Sequence, residues 1–158
     1  VARAVRILNL AKLDKKLKRL PEAAVIEIRA AMEASANEIV AMMKRLVPVG
    51  DYAGGGELRD SIGWTWGKKP KYAQALAVAK SKLGGKLTIT IYAGNSRVRY
   101  AHLVEFGTAP HKIGDGQHPG AKKQPYFFVS WRALRKPAKS RINKAVRTSA
   151  KKVAASKQ

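Results

Sequence analysis

At 158 residues with 46% apolar side chains, the chain is the size of one domain with a genuine core. The absence of cysteine excludes a disulfide framework and thiol chemistry. No apolar run approaches the ~18 residues of a membrane span, and the interrupted start around Arg3 and Arg6 does not read as a signal peptide. The 32 basic residues against 10 acidic ones give +22, a field suited to a polyanion, an acidic protein surface, or both.

Residues 1–20 hold seven basic residues and one acidic residue, Asp14, with leucines near helical spacing. They read as a basic N-terminal arm, either an amphipathic helix or a solvated segment. Pro21 is placed to begin a helix. Behind it Val25, Ile28, Met32, Ala36, Ile39, Met43 and Leu46 recur at steps of three and four, one apolar stripe over a long helix. Glu22 and Glu27 near its start and Lys44 and Arg45 near its end suit the helix dipole.

Gly54, Gly55 and Gly56 make a flexible turn without the spacing of a phosphate loop. Ile62, Trp64 and Trp66 then alternate as a strand with one apolar face. The tryptophans read as core, or as a stacking platform beside Lys68, Lys69 and Lys71. Residues 73–79 fit either a strand or a short helix, and Gly84-Gly85 signals a hairpin. Leu87, Ile89 and Ile91 alternate with Thr88, Thr90 and Tyr92 in the clearest strand. Short turns between these strands predict an antiparallel meander on the long helix. The fold class is therefore α+β: about four antiparallel strands against a long N-terminal helix, with a C-terminal helix. The expected divisions are an arm at 1–20, a core at 21–136 and a basic helix or tail at 137–158.

After the clearest strand comes Tyr100-Ala101-His102-Leu103-Val104-Glu105-Phe106-Gly107-Thr108. Tyr100, Leu103 and Val104 fit one helical turn, and Gly107 is placed to stop it. Glu105, set among apolar residues, needs hydrogen bonds or a charged partner. It reads as a structural anchor for the following loop, or as a catalytic acid or base. Residues 109–125 are rich in Gly and Pro, and a loop of this length is functional or disordered. Tyr126, Phe127, Val129, Trp131 and Leu134 open the C-terminal helix, which Pro137 either kinks or divides.

Three stretches in this order resemble a family of tailed-bacteriophage neck proteins. They are Gly56-Glu57-Leu58-Arg59-Asp60-Ser61-Ile62, Tyr100 to Thr108, and Pro125-Tyr126-Phe127-Phe128. The family comprises the gene-product-ten-like head–tail joining or tail-completion proteins of long non-contractile tails, related in role to tail terminators. The resemblance implies a non-enzymatic structural virion protein without a cofactor, assembled as a homo-oligomeric ring, a hexamer, around the DNA channel. It implies contacts with a head-closure or connector protein, with a tail terminator or tail-tube protein, and with the genomic DNA. Leu58, Arg59, Ser61, Tyr100, Glu105, Phe106, Gly107, Thr108, Pro125 and Phe127 are the assembly residues that the motifs supply.

Other readings are weighed beside it. His102, Glu105, His111, Asp115 and His118 are the sole metal-like grouping in the sequence, and their spacing matches no zinc motif. The charge alone supports a free basic DNA-binding or architectural protein. From Gly116 onward there is no Asp or Glu. Arg132, Arg135, Lys136, Lys139, Arg141, Lys144, Arg147, Lys151 and Lys152 are candidate contacts to DNA or to an acidic partner. A helix this charged, with a thin apolar stripe, is expected to order over 138–158 only against such a partner.

Overall fold

The computed structural model describes residues 22–50, 55–80 and 87–155, with the backbone alone for 74–80. The N-terminal arm, Pro21, Gly54 and the Gly84-Gly85 turn lie outside the described residues.

Helix α1 spans Glu22–Leu46 and buries Ala24, Ile28, Met32, Ser35, Ala36, Ile39 and Met43. This is the expected stripe, with a difference at each end: Ala24 is buried where Val25 is half-buried. Leu46 is 44% exposed and Val47 is buried in its place, because steps of four from Ile39 through Met43 keep to one face and lead to 47. Glu22 lies in the first turn and Lys44 and Arg45 in the last, where each charge opposes the dipole.

A short helix α2 (Glu57–Asp60) leads into strand β1 (Gly63–Trp66), followed by β2 (Gln74–Lys80) and β3 (Thr88–Ala93). Residues 74–80, ambiguous in sequence, form a strand. The sheet is antiparallel in the order β1-β3-β2, so it is not a meander in sequence order. The central place goes to β3, which buries Ile89, Thr90 and Ile91 in succession. A strand lined with apolar side chains loses most by lying at an edge.

After helix α3 (Ala101–Phe106), the expected long loop contains a second, separate sheet. Strands β4 (His111–Ile113) and β5 (Gly116–His118) pair as a hairpin in which every residue is exposed. The expected four-strand sheet is thus three strands plus this hairpin.

Helix α4 (Phe127–Ala155) runs through Pro137 as one element, so the expected division at 136/137 falls inside a helix. It packs along α1 in antiparallel fashion. Arg141 meets Ser35 and Glu38, while Ser149 and Lys152 meet Glu27 farther toward the start of α1. Residues 138–155 continue the helix and find partners on α1 for Arg141, Ser149 and Lys152. The missing counter-charge comes from α1, whose carboxylates lie opposite a segment that has none. Ala138 and Ser149 are buried, and Ile142, Ala145 and Val146 pack on the same core.

Candidate functional site

The three motif stretches, far apart in sequence, all contribute to one hydrophobic core, through Leu58, Ile62, Ala101, Tyr126 and Phe127. Leu58 and Ile62 are buried there, and Arg59 and Asp60 pair at 3.6 Å on the outside. An exposed pair of this kind adds little stability. Ser61 donates its hydroxyl to the Leu58 carbonyl at 2.7 Å and accepts the Gly94 N–H at 3.0 Å. One side chain thus ties the end of α2 to the end of β3. From there Asn95 folds the chain back by accepting the N–H groups of Arg97 and Val98, both at 2.9 Å, a local turn that Asn favours. Val98 and Ala101 then enter the core.

Glu105 is 3% exposed. Its Oε2 accepts the backbone N–H groups of Tyr126 and Phe127, each at 2.8 Å, and its Oε1 accepts that of Phe128 at 3.0 Å. These are the N–H groups that the first turn of a helix leaves without partners. A carboxylate at this end also opposes the positive end of the helix dipole. Glu105 therefore caps α4 from another helix, and both of its oxygens are engaged. Its hold falls on the start of α4, just past the loop that it was expected to anchor. Tyr126 and Phe127 are fully buried beside it. The Tyr126 hydroxyl donates to the Ala101 carbonyl at 3.4 Å, and burial, then the neighbouring Glu105 charge, pushes its pKa up.

Gly107 ends α3 as expected, with its N–H on the Leu103 carbonyl at 2.8 Å. At φ 75° and ψ 179° it holds a positive-φ conformation that glycine adopts without strain. A Cβ there would stand 2.7 Å from the Ala121 carbonyl oxygen and 2.8 Å from the Lys123 nitrogen. The close approach exists because Thr108 and Ala121 pair through two backbone bonds, with a third from the Ala121 N–H to the Thr108 hydroxyl. The base of the loop is thus clamped, and the hairpin β4–β5 projects from it. Pro125 is exposed and Tyr100 half-buried.

The other face of this segment is apolar and open. Leu103 is 40% exposed, Phe106 60% and Val129 39%. The ring of Phe106 lies 5.9 Å from that of Phe128.

No three metal-ligating side chains come together among the described residues. His111 and His118 face each other across the hairpin with ring centres 5.0 Å apart. The His111 Nδ1 lies 3.0 Å from the Ala109 carbonyl, and the His118 Nδ1 accepts the Gly120 N–H at 3.0 Å.

Trp64 and Trp66 are half-buried against the core, with their rings edge to face. The Trp64 indole N–H donates to Asn37 at 2.7 Å and that of Trp66 to Glu33 at 3.1 Å. Arg29 lies over the Trp66 ring. These α1 partners were missed in the sequence, although Glu33 and Asn37 one turn apart match the two-residue step of the tryptophans. Of the candidate cations, Arg141 and Lys152 pair with carboxylates of α1, whereas Lys136, Lys139, Lys144, Arg147 and Lys151 are exposed without such a pair among the described residues.

No helix among the described residues is long and apolar enough to cross a membrane. The chain matches no curated protein and no solved structure. Residues 11–107, well over half of the chain, match the HK97-gp10-like family model, described as "Bacteriophage HK97-gp10, putative tail-component". The match runs through α1, the sheet and α3 and ends at Gly107, where α3 stops. A chain with this match and this α+β frame belongs to the HK97-gp10-like family of bacteriophage tail components, structural proteins of the virion.

Proposed function

We propose that this chain forms a ring, with six subunits as the resemblance implies, at the upper end of a long non-contractile tail. The ring completes the tail and gives the head a defined surface to join, with genomic DNA passing through its centre. Its neighbours are a head-closure or connector protein above and a tail terminator or tail-tube protein below. The protein is built in the host cytoplasm and acts by docking rather than by chemistry.

The observation that carries this reading is the two-sidedness of α3. Its inner side fixes the start of α4 through Glu105, while Leu103 and Phe106, three residues apart on its outer side, are exposed and the Phe106 ring meets that of Phe128. Exposed apolar patches mark interaction sites. The hairpin beside this segment buries nothing of its own, and an isolated two-stranded hairpin is marginal in water. A neighbouring subunit supplies what both lack.

The test is Phe106→Asp, alone and with Leu103→Asp. Both variants are expected to keep the helical circular dichroism of the parent and to lose rings in negative-stain electron micrographs. Heads and tails should then accumulate unjoined when the variant gene replaces its parent. Rings at parental yield from the double variant would overturn the proposal. The second reading, a free DNA-binding or architectural protein, draws on the exposed cations of α4 and requires DNA binding by a monomer or dimer that never forms rings.

A further inference from the structure

Helix α4 carries its cations on two chemically different faces. Toward α1, Arg141 pairs with Glu38 and Lys152 with Glu27. On the opposite side Lys136, Lys139, Lys144, Arg147 and Lys151 are exposed, and none has a carboxylate partner among the described residues. Ser140, Asn143 and Thr148 fill the spaces between them along a shallow, open depression. From Lys136 to Lys151 the row extends ~22 Å along the helix axis. Like charges three and four residues apart destabilise a helix, so this face gains from an anion laid along it.

The chemistry of the row distinguishes between anionic partners. Protein interfaces are depleted in lysine and enriched in aromatic residues at their centres. Among the described residues this depression is bordered by lysine, arginine and small polar side chains, with no aromatic or aliphatic residue. Lys, Arg, Ser, Thr and Asn are the side chains that contact DNA phosphates, and such contacts carry no base information. The exposed apolar side chains Leu103, Phe106 and Val129, by contrast, have the composition of a protein contact.

We propose that the outward face of α4 binds the phosphate backbone of duplex DNA without reading its sequence. This deepens the neck reading by naming the face that borders the channel, and it rests on that reading only for the location. The binding itself is a property of the chain.

The experiment uses the full-length protein and a short fluorescent duplex of arbitrary sequence, with affinity followed by anisotropy over a range of salt. One variant carries Lys144→Gln, Arg147→Gln and Lys151→Gln. A second removes the same charge elsewhere, through Arg45→Gln, Lys68→Gln and Lys112→Gln, all at exposed positions. Each phosphate contact contributes about −0.9 to the slope of log affinity against log salt, so the α4 triple should flatten it by about 2.7 and the control triple by less than about 1. Equal flattening by both triples would show that net charge alone binds DNA and would overturn the proposal. So would an unchanged duplex slope in the α4 triple, including the case in which that triple loses binding to polyglutamate, the mark of an acidic protein partner. Loss of rings by Phe106→Asp is read separately by microscopy. Parental rings from that variant count against the neck reading and leave the DNA face standing, whereas an unchanged slope in the α4 triple removes the DNA face whatever the rings do.

Discussion

Oε2 of Glu105 accepts the backbone N–H of Phe127 at 2.8 Å, so the carboxylate of one short helix caps the longest helix among the described residues. The bond crosses a loop that contains a hairpin of its own. It fixes where α4 begins independently of how that hairpin is placed.

Glu105→Gln is isosteric and tests the cap directly. The amide presents one acceptor oxygen and an NH2 group to a cluster of three N–H donors. At least one donor is left opposite another donor in a buried place. The expected loss is about 1–3 kcal/mol, the cost of an unsatisfied buried group, read as a lower urea midpoint with an unchanged slope. A loss below about 0.5 kcal/mol, the size of an ordinary surface change, would rule the cap out as a stabilising element.

Gly107→Val should be worse than Gly107→Ala, and both should destabilise. Each places a Cβ against the fixed backbone at Ala121 and Lys123, and each forces a side chain into φ 75°. Strain of this kind costs on the order of 1–3 kcal/mol, and β-branching adds to it. The check is thermal unfolding beside Gly67→Ala, where φ is also positive but nothing lies within 4 Å. Equal shifts at the two positions would show that the crowding at Gly107 has no effect.

Glu33→Ala takes the acceptor from the Trp66 indole N–H. A loss of about 1 kcal/mol is expected, where the position would have looked inert from the sequence. Tryptophan emission should shift to the red as the ring loosens. Glu33→Gln keeps an acceptor and should behave like the parent. If Glu33→Ala matches the parent in both stability and emission, the indole bond has no weight in solution.

The Glu27 carboxyl is held below its ordinary value, first by its bond from Lys152 and then by that from Ser149. A lowered folded-state pKa contributes stability above the unfolded value of 4.5 that is lost as pH falls through the folded value. Lys152→Ala should therefore cost stability at neutral pH and progressively less as pH falls below 4.5, so that the two profiles converge in acid. The measurement is the denaturation midpoint of parent and variant across that range. Parallel pH profiles would show that the pair does not couple to folding.

Part of this protein was legible along the chain. The α1 stripe from Ile28 to Met43 and the alternation in β3 are local periodicities, and each element must turn such a face to a core. Gly107 was legible as a stop because a backbone geometry narrows the choice of residue. The rest depended on which surfaces meet. Glu105 had to be satisfied by something, but only the packing of α3 against the start of α4 makes its partners three backbone N–H groups. The hairpin at 111–118 carries no apolar alternation to announce it, since no residue in it faces a core. The cations of α4 look alike in sequence. Only its antiparallel placement on α1 divides them, giving Arg141 and Lys152 to Glu38 and Glu27 and turning Lys144, Arg147 and Lys151 outward. Periodicity requires only that an element have a buried face, whereas the charge that a side chain meets depends on which element lies across from it.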